Sequence, residues 1–376
     1  MEAQAYFPLV EVAGTPYQRG LQHGRLAAAR VRRSAGIYAR ALQELRYSPA
    51  DLRRLIANFS RAVEDFEPAY LDEMRGIAEG AGVSFEDVLM INARTEIVAQ
   101  ARRAQLAGSA AVASDECTGA AILPARSANG SFLQGQNWDN RQDCADTIII
   151  LRVLRDDGPD VLTFVEAGGL ARYGMNSAGL TLNGNGMSSS RDYQQDGVPL
   201  PLVRRKALEQ EHYALALQIV TGTPKACSCN LILGTQLGLA LSLECAPDET
   251  FLVYPEDGLL VHANHWTSPV ALGKLKETGI ASSPESLYRD QRVRQRLSAA
   301  GNKLGVQDLK AAFADTHATP FSVCRPGRVS AQGYASCTTA TLIMEPAAGV
   351  LEVARMPWQG ATYARYTVER GSSPSF

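Results

Sequence analysis

The chain has 376 residues, is 45% hydrophobic and 20% charged, and sets 37 basic against 39 acidic residues for a formal net charge of −2. This is an ordinary globular composition with ample core material; the near-neutral balance, without a basic cluster interleaved with aromatics, speaks against nucleic acid or an anionic membrane as a partner. No apolar run approaches the ~20 residues that span a bilayer, residues 1–8 lack a basic-then-apolar signal layout, and seven cysteines spread over a long chain argue against a disulfide framework. A small-molecule partner and a reducing cytoplasm are the expectations.

Residues from about 16 to 106 read as helix. Residues 19–45 are rich in Ala, Arg, Leu and Gln with apolar positions at helical spacing. Residues 59–81 continue the pattern, with Gly80 and Gly82 as stops, and 85–106 form a further helix behind Ser84 as N-cap. The small, polar stretch 107–114 predicts an accessible linker.

From residue 117 the period becomes that of strands. Segments 118–123, 131–137, 147–154 and 161–167 are short, β-branched or apolar, and separated by Gly, Asn and Asp-Gly turns. Segments 173–176 and 180–183 flank the turn Ser177-Ala178-Gly179. Helices follow over 200–209 and 213–221, strands resume from 230 to 261, and helices return over 286–299 and 306–314. A hairpin of 340–345 and 350–355 closes the chain. Strand runs alternating with helix runs predict stacked sheets with helical outer layers.

The change of period coincides with the most informative residue. Asp115-Glu116-Cys117-Thr118-Gly119-Ala120 is followed, after a hairpin-like interval, by Gly135-Gln136-Asn137-Trp138-Asp139. A thiol among small residues, then an apolar strand and an amide–acid cluster, is a layout that displays a nucleophile at a strand end. Cutting the Glu116–Cys117 bond would give Cys117 both a sulfur nucleophile and its own base. An α-amine titrates near pH 7.7–8.0, close to the value a base needs at neutral pH.

These residues carry a resemblance. Cys117-Thr118, Gln134 to Asp139, Met175-Asn176-Ser177-Ala178-Gly179-Leu180, His262-Ala263-Asn264-His265-Trp266 and Ser286-Leu287-Tyr288-Arg289 occur in this order. With the opening Val12-Ala13-Gly14-Thr15-Pro16-Tyr17 and Gly20, Gln22, His23 and Gly24, the set resembles the acyl-coenzyme A:6-aminopenicillanic acid acyltransferase family over nearly the whole chain. The resemblance implies an α+β fold, a four-layer αββα sandwich of N-terminal-nucleophile hydrolase type with a helical N-terminal segment. It also implies an inactive precursor that cleaves itself into a helical α subunit, residues 1–116, and a catalytic β subunit, residues 117–376. The two fragments of one precursor would then be partners.

Carried onto this chain, the family's roles make Cys117 the nucleophile toward an amide or thioester carbonyl. Asp139 would hydrogen-bond its free amine, and the Asn264 amide and the backbone N–H of Asn183 would stabilise the oxyanion. Arg289 would hold Asp139 or a neighbouring carboxylate. Hydrolysis of a small acylated amine or amino acid is the leading expectation. Acyl transfer from a coenzyme A thioester or amide to an amine such as a β-lactam nucleus is an alternative, and an uncleaved binding protein on the same fold is a third. The chain departs from the family in a slightly longer interval from Cys117 to Asp139, and in Glu116, which stands where Gly usually precedes the nucleophile and would slow cleavage or assist it as a base.

Two other patterns compete. Cys337-Thr338-Thr339-Ala340 imitates a nucleophile strand, but only about 40 residues follow it, too few for a sandwich domain. It reads as structural. Cys227-Ser228-Cys229 and His262-x-x-His265 lack zinc-ligand spacing, so neither a metal nor another cofactor is expected.

Overall fold

The computed structural model describes residues 6–105, 116–330 and 333–375. The expected 107–114 linker lies outside the described residues. The chain opens with strand β1 (Leu9–Val12) and continues through helices α1 (Pro16–Leu26), α2 (Ala28–Glu44), α3 (Pro49–Phe66), α4 (Pro68–Ala81), α5 (Phe85–Asn92) and α6 (Arg94–Gln105). Strands β2 (Glu116–Ile122), β3 (Leu133–Arg141), β4 (Ile148–Val153), β5 (Val161–Glu166), β6 (Tyr173–Asn176) and β7 (Leu180–Gly186) follow. After α7 (Leu200–Leu208) and α8 (Tyr213–Gly222) come β8 (Cys229–Thr235), β9 (Ala240–Cys245), β10 (Thr250–Val253) and β11 (Leu259–His262). The last third holds α9 (Pro269–Lys274), α10 (Ser286–Ala299), α11 (Val306–Phe313), β12 (Arg328–Val329), β13 (Ala335–Glu345), β14 (Val350–Arg355) and β15 (Tyr363–Thr367).

Two sheets form. One has the order β1-β4-β5-β6-β7-β8-β9-β10; the other runs β11-β2-β3-β13-β14-β15, with β12 paired to β13. Their inner faces interlock: Gln136 donates to the Gly184 carbonyl at 2.6 Å, Asn183 to the Gly135 carbonyl at 2.7 Å, and Trp138 meets Phe164 edge-on at 5.2 Å. Helices α10 and α11 cover the outer face of the second sheet, burying Val293, Leu297, Leu309 and Phe313 against Ala120, Ile122 and Leu133. On the other side, α2, α4, α5 and α7 share one core with β4 and β5, in which Val31, Ile77, Leu89 and Val203 join Ile150 and Phe164. The expected four-layer αββα sandwich is borne out.

The helical N-terminal segment is preceded by a strand that the sequence reading did not assign. Strand β1 pairs in parallel with β4, Leu9 to Ile150 through Val12 to Val153, and so completes the edge of the first sheet. Four residues are too few to show a period. Each long predicted helix is also two: the turn breaks at Ala27, at Glu67 before Pro68, and at Ala93. A proline accepts no helical residue comfortably before it, and Pro68 starts α4 at its first position instead.

The opening motif proves to be packing chemistry. Helices α1 and α4 cross so closely that a Cβ on Gly20 would lie 1.9 Å from the Glu73 carbonyl oxygen, and one on Gly76 would lie 2.2 Å from that of Tyr17. Thr15 caps α1 in a capping box with Gln18. His23 accepts the Gly168 N–H at 3.0 Å; burial, then the charge of Arg205, hold its imidazole neutral with a pKa lowered to about 3. Ser84 caps α5 as expected and Gly82 ends α4 in a left-handed conformation, φ 65°, whereas Gly80 lies inside α4 and makes room for α1. Among the described residues no helix is long and apolar enough to cross a membrane.

Candidate active site

Strand alternation divides the residues around position 117 between two environments. In the β2–β3 register Glu116 faces Asp139, Cys117 faces Trp138, and Thr118 faces Asn137. Cys117 and Trp138 turn toward the first sheet, where the buried sulfur lies 3.8 Å from the Tyr173 hydroxyl. Glu116, Thr118 and Asp139 turn the other way, toward α10 and the 325–328 loop.

The backbone of Cys117 is gripped by side chains from distant parts of the chain. Its N–H donates to Asn264 Oδ1 at 2.9 Å, and its carbonyl oxygen accepts from Arg289 Nη1 at 2.6 Å. Arg289 also donates to Thr118 Oγ1 and to Asn264 Oδ1, both at 2.7 Å, and is fully buried. Asn264 Nδ2 donates in turn to the Gly186 carbonyl at 2.8 Å. The loop that carries Asn264 is held from α10: Ser286 Oγ accepts the Asn264 N–H at 2.7 Å and bonds His265 Nδ1 at 2.8 Å. Ser286 and Arg289 sit one helical turn apart, so one face of α10 fixes both the loop and the strand.

A buried, hydrogen-bonded histidine–glutamate pair supports the loop from beneath. His262 Nε2 lies 2.8 Å from Glu244 Oε1. Burial alone would lower the imidazole pKa, but the hydrogen bond and charge of Glu244 outweigh it and leave it raised; Glu244 is lowered in return, despite its burial. The His262 and His265 side chains flank Asn264 as expected. Among the described residues no group of three or more His, Cys, Asp or Glu is arranged to hold a metal ion.

Asp139 is held differently from the expectation. Its ion-pair partner is Arg325, whose Nε lies 3.3 Å from Oδ2, while Thr338 donates to Oδ1 at 2.6 Å. Arg289, expected to hold a carboxylate, is spent on the Cys117 carbonyl, Thr118 and Asn264. A planar guanidinium with five donors satisfies three acceptors there without any carboxylate. Burial pushes the Asp139 carboxyl up to about 6, against the pull of Arg289 and the Thr338 hydrogen bond. Arg325 also pairs with Glu116 and, at 3.1 Å, with Glu285; Arg328 lies 3.5 Å from Glu116 and 3.4 Å from Glu285. Glu116, the residue in place of Gly, is thus the half-buried member of a charge cluster that runs inward to Asp139.

The structure therefore brings the Cys117 backbone, Asn264 and Arg289 into direct contact and sets Glu116 and Asp139 side by side on the Arg289 side of the strand, away from the Cys117 sulfur. Asn183 is one step removed. It lies on β7 against Gly119, where a Cβ would come within 3.3 Å of Asn183 Nδ2. Arg325 and Tyr173 escaped the sequence reading. The pair of arginines around Pro326-Gly327 was the available signal for Arg325, because a cation so close to a tight turn is well placed to face inward. Thr338, dismissed with Cys337 as part of a structural strand, supplies a hydroxyl to Asp139 from beside a β-bulge between Thr338 and Ala340.

Residues 125–354 match the family model described as acyl-coenzyme A:6-aminopenicillanic acid acyl-transferase. The chain belongs to that family. It is 30% identical over 269 residues to the 40 kDa form of acyl-coenzyme A:6-aminopenicillanic-acid-acyltransferase of Emericella nidulans, an alignment that covers 69% of this chain and 67% of that one. Among solved structures it is similar to a Caenorhabditis elegans N-acylethanolamine-hydrolyzing acid amidase ortholog, with a TM-score of 0.44 and 13% identity, covering 61% of this chain and 93% of that one. It is also similar to the conjugated bile acid hydrolase from Clostridium perfringens, with a TM-score of 0.47 and 12% identity, covering 69% and 95%.

Proposed function

We propose that this chain is a self-processing N-terminal-cysteine amidohydrolase that acts on the amide bond of a small acylated amine or amino acid through an acyl-thioester on Cys117. The observation that carries the reading is the grip on Cys117: both polar atoms of its backbone are held by Asn264 and Arg289 while its sulfur faces Tyr173. A structural thiol needs none of this.

Processing begins with attack of the Cys117 sulfur on the Glu116 carbonyl carbon. The bond to the Cys117 nitrogen breaks as that nitrogen takes a proton, leaving a thioester. Water then hydrolyses the thioester, releasing the Glu116 carboxylate, a free thiol and a free α-amine. The amine keeps Asn264 Oδ1 as an acceptor, and Asp139 balances its charge from the neighbouring position. In turnover the sulfur attacks a substrate amide while the α-amine accepts the thiol proton and delivers it to the leaving amine. Asn183 N–H and Asn264 Nδ2 are the donors assigned to the oxyanion; Asn264 must exchange its bond to the Gly186 carbonyl to serve. Cleavage would leave residues 1–116 and 117–376 as fragments of one unit, because β1 and β4 share a sheet.

Acyl transfer is the second reading, favoured by the family and by the name of the Emericella nidulans relative. It shares the acyl-thioester, with an amine in place of water as acceptor. Intact-mass measurement of the purified protein tests the first step. Two fragments divided before Cys117 are expected, and a single chain for Cys117→Ala. A wild-type protein that stays whole and turns over neither amides nor thioesters would leave only a binding function. Product masses with and without added amine then separate hydrolysis from transfer.

A further inference from the structure

A cavity opens beside Tyr173, between α6, α7 and the end of β7, and it is lined by Arg94, Arg102, Arg141, Arg172 and Arg204 without a single Asp or Glu. Three of these five are paired with carboxylates, and a fourth, half-buried Arg102, rests on an aromatic ring. Arg94 pairs with Glu166 at 2.6 Å and Arg172 approaches the same carboxylate at 3.6 Å. Arg141 pairs with Asp143 at 3.1 Å, and Arg102 lies over the Tyr334 ring. Arg204 is different. It is 4% exposed, its buried Nε meets no hydrogen-bond partner, and no ion pair to it is found among the described residues. Buried Glu96 lies close enough to feel the charge of Arg204 but makes no direct ion pair with it among the described residues, and a buried guanidinium without a direct partner keeps its donors for an anion that arrives with a ligand.

Resting on the amidohydrolase reading, we infer that Arg204 recognises a carboxylate on the substrate. The guanidinium is stacked 5.2 Å from the centroid of the Tyr173 ring, which leaves its edge, rather than its face, for a ligand. A guanidinium edge offers two parallel N–H groups that match the two oxygens of a carboxylate. The hydroxyl of the same tyrosine lies 3.8 Å from Cys117 Sγ. One tyrosine side chain thus separates the anion site from the nucleophile, so the carboxylate and the scissile carbonyl belong to one small molecule. The arginine lining draws such an anion in, and Arg204 is the buried member of that lining with no ion pair among the described residues.

The carboxylate can sit on either half of the amide, and two matched pairs separate the halves. Phenylacetylglycine against phenylacetyl-ethanolamine places it on the amine; glutaryl anilide against valeryl anilide places it on the acyl group. In the processed enzyme one pair is expected to show a kcat/KM about tenfold or more in favour of the anion. In Arg204→Gln that ratio falls ~10- to 100-fold, the effect of losing a charge-assisted hydrogen bond, and Arg204→Lys regains part of it. A ratio near one for both pairs in the wild type, or an undiminished ratio in Arg204→Gln, overturns the assignment. A second readout needs no turnover. Glutarate or N-acetylglycine is expected to raise the thermal midpoint of the wild-type protein and not that of Arg204→Gln; no shift with either in the wild type overturns it too. Carboxylate binding without turnover of any amide leaves the anion site standing and sinks the amidohydrolase reading.

Discussion

Arg289 donates from Nη1 to the carbonyl oxygen of Cys117 at 2.6 Å across 172 residues of sequence. The same guanidinium reaches Asn264 Oδ1, which accepts the Cys117 N–H, so a single side chain ties together the strand and the loop on which the proposed chemistry depends. Both bonds go to the backbone or to an amide, and their function is to position.

Replacing Arg289 with Met removes charge-assisted bonds that are fully buried and strands their acceptors. A loss of about 2–4 kcal/mol of stability and a slowing of self-cleavage by at least ~tenfold are expected. Chemical denaturation and an intact-mass time course measure the two effects separately. Cleavage at the wild-type rate in a folded Arg289→Met protein would show that the grip on Cys117 is not needed.

Arg325 stands among Glu116, Asp139 and Glu285. Arg325→Met leaves these carboxylates without their central cation, and removal of one partner from a buried pair costs about 3–5 kcal/mol. The double variant Glu116→Gln/Arg325→Met carries one carboxylate fewer and is expected to recover part of that loss. A double-mutant cycle on unfolding free energies is the measurement; strict additivity would mean that Glu116 and Arg325 do not interact.

The His262–Glu244 pair predicts a pH dependence with two limbs. The imidazole pKa is raised above its ordinary 6.5, so its contribution is fully present below 6.5 and is lost as pH rises through the raised value. The carboxyl is lowered below its ordinary 4.5, so its contribution is present above 4.5 and is lost as pH falls through the lowered value. The gap in thermal midpoint between wild type and His262→Gln should therefore be widest between these limits and narrow as the medium is made alkaline. A gap that does not vary with pH would mean that His262 is neutral throughout.

Local sequence carried much of this architecture. Strands β6 and β14 and helix α10 fall at the expected bounds, because a strong period or a tight turn decides them within a few residues. Cys117, Asn264 and Arg289 were legible as an ordered set, and the fold brings them together. Gly20 and Gly24 were legible as a motif but not as a helix crossing, since the sequence of α1 says nothing of where α4 will lie.

Residues 9–12 show the same limit: four residues carry no period, and only the exposed edge of β4 makes them a strand. What the sequence by itself determined is the order of elements, the change from helix to strand at Cys117 and the identity of the nucleophile's neighbours, all properties of short segments. Only the tertiary structure decided the pairings. Charge partners are chosen by which groups are buried together, so Asp139 went to Arg325, Arg289 went to the Cys117 backbone, and Arg204 was left in the cavity beside Tyr173 with its Nε unpartnered.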